Sequence, residues 1–202
     1  MPASPTDTDA SALAQLILPT GWSVRELTEA DAPELQAFFE ANPQYFFNVG
    51  DEGPLPEEAT HELASRPPAD LSYRDHWTLG FDFQGQMQAM AVLDSGLVLD
   101  EVWHIGLFIV ATPLHGQGHA AGLYEALERW ALAGGARWMR LGAVVGYQQA
   151  ERFWLGRGFV ELRQRHALTM GRRLNSVRVM LKPLGTASIE EYLDRVPRDR
   201  PE

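Results

Sequence analysis

Ile109-Val-Ala-Thr-Pro-Leu-His-Gly-Gln-Gly-His-Ala-Ala-Gly122 is an apolar run that stops at Pro113, turns through glycines and enters a helical pattern. The spacing predicts a strand, a loop and a helix that begins near Gly118. The first N–H groups of such a helix have no intrahelical acceptor and carry the positive end of its dipole, so an anion can settle there without a basic side chain. Gly116 and Gly118 suit that use. Without a Cβ the chain can take φ > 0 and let a phosphate come close to the main chain.

The loop admits other readings. Gly116-x-Gly118-x-x-Ala121 also satisfies the dinucleotide fingerprint, which needs an acidic residue at the end of the next strand. The strand expected over Arg137 to Val145 ends in Gly142-Ala-Val-Val-Gly146 with no acid, and the chain beyond it is too short for a doubly wound sheet. The plainer alternative is a tight turn whose glycines only permit close packing.

The spacing His115-x-x-Gly118-x-Ala120 resembles the Gln/Arg-x-x-Gly-x-Gly/Ala signature of the GNAT acyltransferase superfamily, with histidine at a position that the family uses mainly through its backbone. A second element, Ala150-x-x-Phe153-Trp154-x-x-x-Gly158-Phe159, is similar to the family's Ala-x-x-Leu-Tyr-x-x-x-Gly-Phe. A third, Val179-Met-Leu-Lys-Pro-Leu184, looks like its closing strand. The resemblance covers residues 21 to 184 and implies an α/β (α+β) fold: a mixed, mostly antiparallel sheet of six or seven strands flanked by helices, with a splayed parallel pair at the cofactor site. Residues 1 to 20 are expected to be a mobile tail with room for a short helix, and 185 to 202 a short helix and charged tail.

Composition sets the outer limits. The 202 residues, 45% hydrophobic, suit one globular domain. Cysteine is absent, which excludes disulfides, thiolate metal sites and cysteine nucleophiles. His61, His76, His119 and His166 show no metal-ligand spacing, so no metal is expected. A net charge of −10 argues against nucleic-acid binding and suits a cationic amine, though a solubilising surface explains it as well. The N-terminus has no signal-peptide pattern and no apolar run approaches membrane-spanning length, so a cytoplasmic protein with no membrane partner is the expectation.

Elsewhere the patterns are local. Trp22 to Leu27 alternates as an edge strand, and Thr28-x-x-Asp31 caps a helix that buries Leu35, Phe38 and Phe39. Asn42 to Gly53 reads as an aromatic loop, in the place where the family builds its acceptor pocket. Its aromatics could equally cap the core. Gln84-Gly85 turns a hairpin, and Asp94-Ser-Gly96 reads as a second turn. Val102 to Val110 is the expected central strand, with Trp103, Ile105, Leu107 and Ile109 on one face unless a bulge intervenes.

The resemblance implies acyl transfer from acetyl-CoA, or another acyl-CoA, to an amine on a small molecule or a peptide. The pyrophosphate would lie on the backbone of His115, Gly116, Gln117, Gly118, His119 and Ala120, with Phe153 beside the cofactor and Phe108, Ile109 and Val110 along the thioester arm. Family members often place a glutamate on the central strand as base. The matching position is His104, with Glu101 three residues earlier on the opposite face. A histidine merely hydrogen-bonded in the sheet is the competing reading. Trp154 stands where the family has its acidic tyrosine, and an indole cannot serve, which leaves Tyr147 and the remoter Tyr124 as phenols. A non-catalytic acyl-CoA-binding or partner-binding module on the same fold is the alternative function, and a homodimer is compatible with the family.

Overall fold

The computed structural model describes residue 13 and residues 15–201. Most of the expected N-terminal tail and short helix lies outside them. Seven strands form one sheet in the order β1-β2-β3-β4-β5-β7-β6. They are β1 (Trp22–Glu26), β2 (Asp75–Phe83), β3 (Gln86–Ser95), β4 (Val102–Val110), β5 (Trp138–Val144), β6 (Val160–Met170) and β7 (Arg173–Pro183). Every neighbouring pair is antiparallel except β4 and β5, which run parallel. A parallel pair needs a long crossover, and the amphipathic helix between these two strands supplies it.

The helices are α1 (Ala32–Ala41), α2 (Gln44–Gly50), α3 (Glu58–Ala64), α4 (His119–Ala133), α5 (Gln148–Gly156) and α6 (Ile189–Arg195). One face of the sheet packs on α4, whose Leu123, Leu127, Trp130 and Ala131 form a buried stripe. There Trp77, Trp103 and Trp130 meet with ring centroids 4.8 to 5.2 Å apart. The opposite face packs on α1 and α3 through Leu35, Phe38, Ala59 and Leu63. Farther along the same side, Val102, Trp138 and Leu181 pack against Tyr192 of α6.

Two sequence expectations change. Asp94 and Ser95 are not a turn: β3 continues through them, opposite His76 and Asp75. The stretch after Asn42 is a helix, α2, in which Tyr45 and Phe46 pack on the core while Phe47 is exposed. Within the charged tail after α6 one acid is buried. Asp199 is 1% exposed and accepts hydrogen bonds from Arg140 and from the Tyr192 hydroxyl, which is 2.6 Å away. Burial alone would raise the Asp199 carboxyl, but those bonds hold it below the usual carboxylate range.

Candidate active site

The cleft begins with a bulge. Val92 faces Leu107 but Leu93 faces Ile105, so Gly106 is an extra residue in β4 and side-chain alternation reverses across it. Trp103 and Ile105 face α4, whereas Leu107 and Ile109 face α1. The single-faced row expected from strict alternation is therefore broken at its middle. The bulge also marks the end of pairing. β4 and β5 lie in register only from Val102↔Trp138 to Ile105↔Leu141. Beyond that point Phe108, Ile109 and Val110 form one wall and Gly142, Ala143 and Val144 the other wall of a cavity of about 470 Å³.

At the open end of the splay the chain turns into α4. Gly116 and Gly118 have φ of +75° and +86°, and a Cβ on either would meet only open space. The His115 amide is taken by the Thr112 carbonyl. Those of Gly116 to Ala120 donate to no protein group among the described residues. The His115 ring makes a contact its sequence position did not suggest. Its Nε2 lies 2.8 Å from the Val110 carbonyl and its Nδ1 2.9 Å from the Gln149 amide, so it ties the end of β4 to α5. Gln117 donates to the Pro113 carbonyl. His119 accepts from the Trp22 indole and packs on Phe83.

Two further walls complete the cleft. From α5 come Tyr147, Phe153 and Trp154, with Phe153 stacked on Phe108 at 6.0 Å. Tyr147 is half-buried, which raises its phenol above the ordinary range, and the hydroxyl bonds to no protein group among the described residues. From the other side come Asn42, Tyr45 and Val49. Asn42 is buried; its Oδ1 accepts the Thr112 amide at 2.7 Å and its Nδ2 donates to the Phe38 carbonyl, which fixes the end of α1 to the end of β4.

This arrangement, unengaged amides at a helix start beside a parted parallel pair, is matched by sequence comparison. A family model described as Acetyltransferase (GNAT) family covers residues 25–159. The chain belongs to the GNAT acetyltransferase family. No curated protein matches the sequence. Among solved structures, this GNAT chain is similar to an acetyltransferase from Thermus thermophilus, at 20% identity and a TM-score of 0.61, over 84% of this chain and 99% of that one. It is also similar to spermidine N-acetyltransferase from Vibrio cholerae in complex with CoA and spermine, at 17% identity and a TM-score of 0.61, over 82% and 96% of the two chains. The ribosomal-protein-S18-alanine N-acetyltransferase from Escherichia coli aligns at 18% identity and a TM-score of 0.55, over 83% of this chain and 97% of that one. These identities speak for the fold.

The family uses acetyl-CoA, and the residues of this GNAT chain fit such a group. The unengaged amides of Gly116 to Ala120 suit a diphosphate, and the unpaired stretch of β4 suits the amide-bearing arm. Of the residues singled out in the sequence, Phe108, Ile109, Val110, His115, Gly116, Ala120, Tyr147 and Phe153 line one cleft. Gln117, Gly118 and His119 belong to the same turn but are not among the residues that line the cleft.

His104 and Glu101 are not brought to the cleft. His104 lies on the closed side of the splay, opposite Asp94 and Arg140, with its Nδ1 buried and unpartnered. Burial first, and then the Arg140 charge, push its pKa down to about 3, so it is a poor proton acceptor. The Glu101 carboxylate is held by both Nη atoms of Arg195 at 3.0 Å. Tyr124 is buried and its hydroxyl donates to Glu128. Sequence reasoning passed over Asn42, Val49, Gln149 and Arg152 as individual lining residues. The turn signals around Pro43 had marked the segment of the first two, but nothing local marks which of its side chains point inward.

Proposed function

We propose that this chain is an N-acyltransferase that moves an acetyl group from acetyl-CoA to a primary amine, in the cytoplasm. The observation that supports this reading above the others is the pairing of two unsatisfied backbone edges on one cleft: the amides of Gly116 to Ala120 and the β5-facing edge of β4 beyond Ile105. Acetyl-CoA, when bound, supplies an acyl group already activated as a thioester.

The chain's own residues do the rest. The amides of Gly116 to Ala120 hold the diphosphate. The main chain of Phe108 to Val110 orients the arm, and a backbone N–H there is the donor where negative charge develops on the thioester oxygen. Tyr147, kept protonated by its burial, hands its proton to the departing sulfur. Among the described residues no aspartate or glutamate lines the cleft, so the acceptor loses its proton to water before attack.

Thiol release from acetyl-CoA, followed with and without a panel of primary amines, tests the reading. Amine-dependent release is expected. The cleft also lacks a carboxylate base among the described residues and carries an indole at Trp154, which favours a second reading, a CoA-binding module without turnover. Calorimetric binding of CoA together with no amine-dependent release across the panel would establish that one instead.

A further inference from the structure

The acceptor end of the cleft has a roof. α2 begins beside Asn42, which is fixed to the end of β4 through the Thr112 amide. It ends at the tip of the β6–β7 hairpin, on the far side of β5 in the strand order. There the Val49 carbonyl accepts Asn175 Nδ2 at 2.7 Å, the Asn48 carbonyl accepts Arg173 Nη1 at 2.9 Å, and the Gly50 carbonyl accepts the Arg172 amide at 2.9 Å. Gly50 and Gly171 meet backbone to backbone: a Cβ on Gly171 would come within 2.7 Å of the Gly50 carbonyl oxygen. Ion pairs from Arg173 to Asp51 and from Arg172 to Glu52 close the strap from outside. α2 therefore spans the parted strands from the β4 side to the β7 side, and Val49, the residue Asn175 holds, is itself part of the cleft wall.

The chemistry of that wall is as telling as its closure. Tyr45, Val49, Leu107 and Ile109 line the cleft, and among the described residues the one permanently charged side chain on it is Arg152. Glu58 and Glu62 act on the Tyr45 phenol, but neither lines the cleft. A second ammonium group on the acceptor would find no counter-ion, and burying an unpaired charge is costly. An extended peptide would have to pass through the strap.

We infer, resting on the acyltransferase reading above, that the acceptor is a small primary amine with an uncharged apolar or aromatic body, and neither a polyamine nor a peptide N-terminus. The test compares kcat/KM for hexylamine, phenethylamine, hexamethylenediamine and a tetrapeptide with N-terminal alanine, using the full chain and acetyl-CoA. Both monoamines are expected to exceed the diamine by about 20-fold or more, and against hexylamine the second ammonium is the only added group. The peptide is expected to stay at the rate of uncatalysed hydrolysis. Val49→Asp, which adds a carboxylate to the roof, should raise the ratio of diamine to hexylamine by about tenfold, or ~1.4 kcal/mol. A diamine or peptide turned over as well as hexylamine by the unaltered chain sinks the inference and leaves N-acyl transfer standing. An unchanged ratio in a folded Val49→Asp variant also counts against it. CoA binding without release for any amine takes down the acyltransferase reading and this one with it.

Discussion

Ile105 and Leu141 are the last pair at which β4 and β5 lie in register, and past them the two strands become opposite walls of the cleft. The bulge at Gly106 follows at once, so the point where the sheet opens is also the point where β4 turns Leu107 and Ile109 toward α1. The cleft thus reaches from the α4 side of the sheet to the α1 side.

The amides at the start of α4 are tested by Gly118→Val. The substitution forces a β-branched residue into φ of +86° and costs about 1 to 3 kcal/mol of strain, while its Cβ meets nothing. Gly185→Val is the matched control, since Gly185 also has positive φ and open space around it. CoA affinity by calorimetry is expected to fall about tenfold or more in the first variant and to hold in the second, with similar losses of melting temperature. Equal affinities would remove the diphosphate from this turn.

Tyr147→Phe deletes one hydroxyl on the cleft and leaves the ring. In the proposed reaction the phenol serves the leaving sulfur, so saturated turnover is expected to fall about 10- to 100-fold with CoA affinity unchanged. Turnover equal to that of the unaltered chain would show that the thiolate leaves without its help.

His104 makes the fold sensitive to acid. Its pKa lies near 6.5 when exposed and about 3 when folded, so above 6.5 both states hold it neutral. Between those values the unfolded chain binds the extra proton, and stability falls as pH falls, by about 1 kcal/mol per pH unit from this group. Urea unfolding of His104→Gln at neutral pH and near the middle of that window should show a smaller drop than the unaltered chain does. Identical drops would mean that the ring titrates freely.

Asp199→Asn removes the charge that Arg140 pairs with at 2.8 Å, where the two side chains are 2% and 12% exposed. The expected loss is about 3 kcal/mol at neutral pH, the range for breaking a buried pair by removing one partner. The sign follows from the depressed carboxyl. Its contribution is present above the unfolded pKa near 3.8 and disappears as pH falls through the lower folded value, so chain and variant converge in strong acid. Thermal unfolding across that range measures it.

What the sequence determined by itself was local: where strands and helices lie, and which backbone groups are left over. The glycines at 116 and 118 and the apolar run into Pro113 follow from steric and periodic rules that act over a few residues; with the Ala150 to Phe159 and Val179 to Leu184 elements they carried the resemblance to the family, and that resemblance implied the parted parallel pair. Tertiary structure decided everything set by register across strands. One extra residue at Gly106 reversed the faces of β4 within the strand, and His104 ended on the closed side of the splay beside Arg140. Asp199, read only as part of a charged tail, found its partners 59 and 7 residues away. The cleft wall at Val49 took shape only when the carbonyls of Asn48 and Val49 met β7, more than a hundred residues on. Such contacts depend on how a fold brings distant segments together, and no local pattern encodes that distance.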